Sequence, residues 1–429
     1  MKQKFLLIFL LFPSLCFSEL GVIEVRKDIC EILTLDGAVK EALSRKPSVL
    51  AYRYSVEDYR NQQIATLSSY MPNVSASETA YVTAGTRNSI GIEYSQTIFD
   101  VPKINSYKKA GVNVAYQRHQ KEYHEDNVRL STETVFLSSW LLQNKQDLIS
   151  SLNKSTNDTF EYDKNRELVG LISKDDWLKA KYSYSNNISA VKSFQDDLRE
   201  YEKTLEYYVG LSLALVYNEN IVGTFTKLDW DYERKFVLNS FQNYYEKALR
   251  NRKDLKSKKD LIDIERYNSA YYLSQHLPTA SVFGSAVRSN VSSSGSSTAE
   301  SAGIKFSLSI FDGFSRYFNK SAADAKKMQA ILNRNDIIQQ IKYEVQKAHS
   351  AYEKELNTLE AQRDSFEQSK NEFKLKKLKY EIGTISKVDF EIAKYNWENA
   401  FHAWITQVAV TAQKERELLY YCGYPSEYN

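Results

Sequence analysis

The chain has 429 residues, with 57 Lys and Arg against 54 Asp and Glu and a formal net charge of +3. That length would ordinarily fold as two or three globular domains. Only 14 Gly and 6 Pro, set against 31 Tyr and 26% charged residues, describe instead long helices that each bury a single stripe. The near balance of charge gives no support for a nucleic-acid partner.

Residues 1–18 read as a secretory signal peptide. Lys2 and Lys4 precede the apolar run Phe5 to Phe12, and Cys16 and Ser18 stand at the positions a cut after Ser18 requires. An uncleaved anchor is disfavoured because the run is far short of the ~20 residues a spanning helix needs. A lipoprotein reading of Cys16 is disfavoured by the bulky Leu15 before it. Removing Lys2 and Lys4 lowers the net charge to +1. No later stretch reaches spanning length, so a membrane crossing has to be made by β-strands. The mature chain keeps Cys30 and Cys422. Two thiols in an exported protein can pair, and their spacing alone does not establish it.

The sequence is written twice. Leu43 and Pro72 recur as Leu249 and Pro278, and Phe99-Asp100 recurs as Phe311-Asp312. The segment G-L-I-S-K-D-D from Gly170 returns as G-T-I-S-K-V-D from Gly383, and Leu205, Tyr207, Tyr208 and Gly210 return as Leu418, Tyr420, Tyr421 and Gly423. The offset grows through the Ser-rich stretch from Val291 to Glu300. Two structural repeats follow, 19–210 and 239–423, with a connection at 211–238 and a tail at 424–429.

In the first repeat, Ala/Leu-rich amphipathic spacing predicts a helix over 35–69 that stops before Pro72. A β-hairpin is expected at 73–99, where Ile90, Ile92, Tyr94 and Ile98 alternate with Gly91, Glu93, Ser95 and Thr97. Asp100 is placed to cap a long helix over 103–168, with apolar positions at Val128, Val135, Leu142 and Ile149. A tight turn leads to a return helix at 174–209.

The second repeat predicts a helix at 239–275 and a hairpin at 279–311, where Ile304, Phe306, Leu308 and Ile310 alternate with polar or small residues. The long helix at 315–381 carries an unbroken heptad: Ile331, Ile338, Val345, Tyr352, Leu359, Phe366, Phe373 and Tyr380. Such a helix runs about 100 Å at ~1.5 Å per residue. The return helix is expected at 387–422. Ser173 with Asp176 and Ser386 with Asp389 have the S-x-x-D form of a capping box, each after a glycine able to end a helix.

No catalytic or metal constellation stands out. His119, His124, His276, His349 and His402 lack H-E-x-x-H spacing, and neither G-x-S-x-G nor G-x-x-x-x-G-K occurs. The residues point to a chain that is not an enzyme and needs no cofactor.

Taken in order, T-L-D-G-A-V-K-E-A-L-S-R-K-P at Thr34 to Pro47, a proline before each hairpin, Ile98-Phe99-Asp100 and Ile310-Phe311-Asp312-Gly313, and the duplicated G-x-x-S-x-x-D turns resemble the outer membrane efflux protein family of TolC-like channels. The likeness covers nearly the whole mature chain. It implies a mainly α fold with membrane β. Three chains of four strands each would form one 12-stranded barrel in the outer membrane, continued by an α-helical barrel in the periplasm.

The partners it implies are two further copies of the chain, outer membrane lipid, a periplasmic adaptor (membrane fusion) protein and an inner membrane pump. It sets the adaptor-docking tips at Gly170, Ile172, Ser173 and Lys174 and at Gly383, Ile385, Ser386 and Lys387. The periplasmic entrance falls to Asp389, which matches the first aspartate of the family's D-x-x-D pattern, and to Asp176 on the other hairpin. Ile392 replaces the second aspartate of that pattern, so a doubled ring is not implied. Helix capping alone is the competing role for both aspartates. The same architecture brings the two ends of the chain toward mid-tube, which makes Cys30 and Cys422 a candidate disulfide.

A periplasmic coiled-coil scaffold or adaptor without a pore would explain the heptads but not two alternating hairpins at matched positions. Small-molecule efflux and protein secretion remain open alternatives, as do the substrate and the resting state.

Overall fold

The computed structural model describes residues 32–79, 87–213, 226–291, 295–385 and 387–424. The expected signal peptide at 1–18, Cys30 and Ser386 lie outside the described residues.

The elements run in chain order as β1 (Ile32–Thr34), α1 (Leu35–Arg45), α2 (Pro47–Ser68), β2 (Asn73–Thr79), β3 (Arg87–Phe99), α3 (Val101–Leu168) and α4 (Lys174–Val209) in the first half. The second half adds β4 (Lys227–Asp229), α5 (Phe241–Asn251), α6 (Lys253–Ser274), β5 (Thr279–Val291), β6 (Gly295–Ser307), α7 (Ser315–Glu381) and α8 (Lys387–Tyr421).

Each opening helix, expected as one piece at 35–69 and 239–275, is instead two. The first breaks at Lys46, whose ψ of 120° is forced by Pro47, since proline drives the residue before it out of the helical region. Arg252 breaks the second with ψ 124° and no proline. Burial holds this break: Arg252 pairs with Asp254 at 2.6 Å and with Glu344 on α7 at 2.5 Å, while the helix end at Gly423 presses against it. A Cβ on Gly423 would lie 2.7 Å from the Arg252 amide nitrogen, and its φ is +77°, so only glycine fits. Gly210, at φ +72°, stands at the equivalent place, where a Cβ would meet the Arg45 side chain at 3.3 Å.

The connection expected at 211–238 contributes structure of its own. Its β4 pairs in parallel with β1, Leu33 opposite Leu228. Strands of three residues carry too little pattern to be read from sequence. Around them lies the first core, with Phe136, Trp140, Leu198, Leu205, Leu211 and Ile405 buried and the Trp230 ring edge-on to Trp140 at 4.9 Å. A second core joins Tyr244, Leu255, Ile341, Val345, Tyr352 and Leu418.

The four long strands make one antiparallel sheet in the order β2-β3-β5-β6. The hairpins of the two halves therefore pair through β3 and β5, with Glu93 opposite Ser285. Strand β6 ends at Ser307, so Leu308 and Ile310, expected within the hairpin, continue past it. Below the sheet the helices stand side by side: α2 packs on α3, α3 on α6 and α6 on α7. Farther down, α4 and α8 flank α3, and α7 packs along α8. Among the described residues no helix is long and apolar enough to cross a membrane.

Candidate functional site

The far ends of the helices are built by the backbone. At the first tip Leu171 N–H reaches Arg166 O at 2.8 Å and Gly170 N–H reaches Glu167 O at 2.9 Å, with Gly170 at φ +73°. At the second, Thr384 N–H reaches Lys379 O at 2.8 Å and Gly383 N–H reaches Tyr380 O at 2.9 Å, with Gly383 at φ +76°. Both are Schellman turns, in which a left-handed glycine lets the last carbonyls of a helix find donors. No atom lies within 4 Å of a Cβ built on either glycine, so the backbone conformation rather than crowding is what requires them.

Ser173 then starts α4 by accepting the Asp176 N–H at 3.1 Å, and its hydroxyl donates back to the Asp176 carboxylate at 2.7 Å. That bond, with Lys179 beside it, holds the exposed Asp176 carboxyl below the usual carboxylate range. Asp389 occupies the same place in the first turn of α8 and is exposed. Ile172 and Ile385 are half-buried beneath the turns, whereas Lys174 is exposed. The structure adds what spacing did not show: Leu168, Val169, Leu171 and Ile382 stand about 70% exposed around the two turns. Helical periodicity counts such residues as core, and only the position at a helix end reveals them as surface.

At the opposite end the sheet has two chemically different faces. One carries Val74, Tyr94 and Ala302 in a single row, with Ile92, Val282, Ile304 and Phe306 in neighbouring rows, until Glu78, Arg288 and Glu300 appear toward the hairpin turns. The other is lined by hydroxyls, in rows such as Ser89–Ser289–Ser297 and Ser75–Glu93–Ser285–Ser301. Two glycines on it are covered by cross-strand neighbours: Phe283 lies over Gly303 and Val287 over Gly91.

The strand-to-helix junctions are clamped by a cation in each half. Lys103 Nζ donates to Ser69 O at 3.0 Å and to Thr97 Oγ1 at 2.7 Å. Arg316 donates to Gln275 O at 2.7 Å and to Ser309 O at 3.3 Å. These partners are equivalents in the repeat, but the cations differ by one position in register, which is why self-comparison passes over them. Asp100, expected to cap α3, and its repeat equivalent Asp312 serve the same junctions. Asp100 accepts the Lys103 N–H at 3.1 Å, and Asp312 accepts the Arg316 N–H at 3.0 Å and pairs with its guanidinium at 2.9 Å.

Between the ends, α3 and α6 are joined by polar groups. Asn105 reaches Ser274 at 3.1 Å, Lys109 reaches Asn268 at 3.1 Å, His119 meets Asp260 at 2.6 Å and Lys253 meets Glu122 at 2.8 Å. Close by, a cavity of about 260 Å³ is lined by Glu122, Glu125, Asp126, Arg129 and Lys253. Burial pushes the Asp126 carboxyl up to about 7 against the pull of Lys253 and Arg129. Cys422 is buried at the end of α8, and burial pushes its thiol up to about 12; the expected partner Cys30 is outside the described residues. Among the described residues no group of three or more His, Cys, Asp or Glu is arranged to hold a metal.

The model for the family described as outer membrane efflux protein matches residues 244–423, the second of the two repeats. No curated protein matches by sequence at a significant level. Solved structures with the same fold include the CmeC outer membrane channel of Campylobacter jejuni, at TM-score 0.72 and 18% identity over 91% of this chain and 85% of that one. The outer membrane protein VceC of Vibrio cholerae aligns at TM-score 0.67 and 13% identity, over 91% of this chain and 97% of that one. The MtrE outer membrane channel of Neisseria gonorrhoeae, in its open state, aligns at TM-score 0.66 and 15% identity, over 91% and 88%. Family model and fold agree, and the resemblance carried by the sequence motifs is borne out.

Proposed function

Taking the chain as a member of the outer membrane efflux protein family, whose model its second repeat matches, we propose that three copies close into one channel through the outer membrane. The channel passes substrates delivered by an inner membrane pump and a periplasmic adaptor, by efflux or type I secretion. The observation that carries this reading is a pair of unsatisfied edges. The sheet ends in β2 and β6, and the helix row ends in α2 and α7. Tyr54, Ile64 and Leu67 are exposed on α2, and Met328, Leu332 and Tyr343 on α7. An open strand edge in lipid leaves backbone groups without partners, and four strands cannot close alone. Copies set edge to edge satisfy both. The apolar face of the sheet then meets lipid and the hydroxyl face lines the pore.

In this reading the turns at Gly170, Ile172, Ser173 and Lys174 and at Gly383, Ile385, Ser386 and Lys387 form the periplasmic end where the adaptor docks. Three copies of Asp389 surround the entrance, and Asp176 stands farther from the axis. The test is conductance of purified protein in planar bilayers. Asp389→Asn lowers cation preference and block by multivalent cations, while Asp176→Asn changes them much less. Equal selectivity in both variants and the parent would leave Asp389 a helix cap. A monodisperse, water-soluble monomer would remove the channel.

A further inference from the structure

We infer that Glu93 and Lys305 set the ion preference of the sheet end of the pore, as two rings of opposite charge. This rests on the channel reading, which assigns the hydroxyl face of the sheet to the lumen. From the Ser89–Ser289–Ser297 row down to the Thr279–Ser307 pair, the strand side chains described on that face are Ser, Thr, Asn, Gly, Ala, Val287 and Phe283, apart from these two, and Lys103 of α3 adds its ammonium to the Lys305 row through Thr97 Oγ1. Glu93 and Lys305 are exposed, and among the described residues neither is held in an ion pair.

The register separates them. Glu93 shares its row with Ser75, Ser285 and Ser301, and Lys305 shares its row with Ser281 and Thr97. Ser281 and Ser285 are four residues apart on β5, or about 13 Å at ~3.3 Å per residue. The Ser285 and Ser301 hydroxyls bond each other at 2.8 Å, which leaves the Glu93 row one carboxylate on a neutral hydroxyl floor. Three copies make an acidic ring toward the hairpin turns and a basic ring toward the helices. At physiological salt the screening length is about 8 Å, so the rings act separately and only near the wall. At 0.01 M it is about 30 Å, so each ring reaches across a pore of this strand number. The parent pore is then poised between opposed preferences, and loss of either ring uncovers the other.

The test is the reversal potential in a KCl gradient near 10 mM, with the same entrance residues in every variant. Glu93→Gln moves the permeability ratio toward anions by about twofold, Lys305→Gln moves it toward cations by a similar factor, and the double variant returns close to the parent. Both single effects shrink in 1 M salt. Ser75→Lys, which adds a cation to the Glu93 row without removing the carboxylate, reproduces the direction of Glu93→Gln. Glu93→Asp keeps the parent value. A conducting parent whose ratio is unmoved by the single variants and by Ser75→Lys, or is moved the same way by both single variants, overturns the inference and leaves the channel standing. A parent that never conducts overturns the channel reading and takes this inference with it.

Discussion

The seam between the two repeats and the seam inside the second hairpin solve the same packing problem with opposite chemistry. Along α3 and α6 the helices meet through Asn105, Lys109, His119, Gln120 and Glu122, bonded to Ser274, Asn268, Asp260, Ser257 and Lys253 on the other side. Along α7 and α8, between the Gln407–Glu355 hydrogen bond and the tip, the contact is aromatic. Phe366 stacks on Trp404 at 5.3 Å, Phe373 on Trp397 at 5.1 Å and Tyr380 on Phe390 at 4.8 Å. Stacked rings give large buried area without needing one register, whereas hydrogen-bonded pairs allow one register and penalise every other. The repeat seam therefore fixes how the halves align, and the hairpin seam fixes how stiffly the second tip is held.

The largest effect that tests this contrast is loss of a ring. Phe366→Ala is expected to weaken the α7/α8 hairpin by about 3 kcal/mol, in the range for a buried Phe→Ala change. Hydrogen exchange should then speed up in the lower halves of α7 and α8 and stay at the parent rate along α3 and α6. Uniform acceleration through both seams would mean that they are one cooperative unit.

Arg252→Met comes next. It leaves the half-buried Asp254 and Glu344 without their cation, and one-sided removal from a largely buried ion network costs up to about 3 kcal/mol. The damage should concentrate where α5, α6 and the end of α8 meet. It is read as faster exchange of the α5 and α6 amides around the break, with the sheet unaffected.

A smaller effect with a definite sign belongs to Asp126. Its folded value of about 7 lies above the ordinary carboxylate value, so the folded chain holds this proton more tightly than the unfolded one. The stability it contributes is fully present below about pH 4 and is lost as the pH rises toward 7. Asp126→Asn should flatten the pH dependence of the melting temperature across that window and raise melting at pH 8 relative to the parent. An unchanged profile would mean that water reaches the carboxylate freely.

Much of this architecture is legible in the sequence because the repeat states it twice. The long helix begins at Ser315 and ends at Glu381, and the first return helix spans Lys174–Val209, where glycine, serine and heptad signals coincide. What stays hidden is whatever depends on partners distant in sequence. Arg252 breaks a helix through Glu344, which lies 92 residues away, so no local breaker marks it. The polar seam is invisible to periodicity because that reading follows apolar residues, and Asp126 looks like one more charge on a solvated helix. At the tips, Gly170 and Gly383 announce the turns, but the apolar collar of Leu168, Val169, Leu171 and Ile382 has the composition of core. Glu93 and Lys305 can be named from alternation alone. Their rows require the register.

The two open edges decide the assembly, and the mass of the assembled particle tests them most directly. Native mass spectrometry of the mature protein, released from mild detergent, is predicted to give three chains and to hold that number as detergent is stripped. A single chain that stays folded and monodisperse under the same conditions, with β2 and β6 both unpaired, would contradict it.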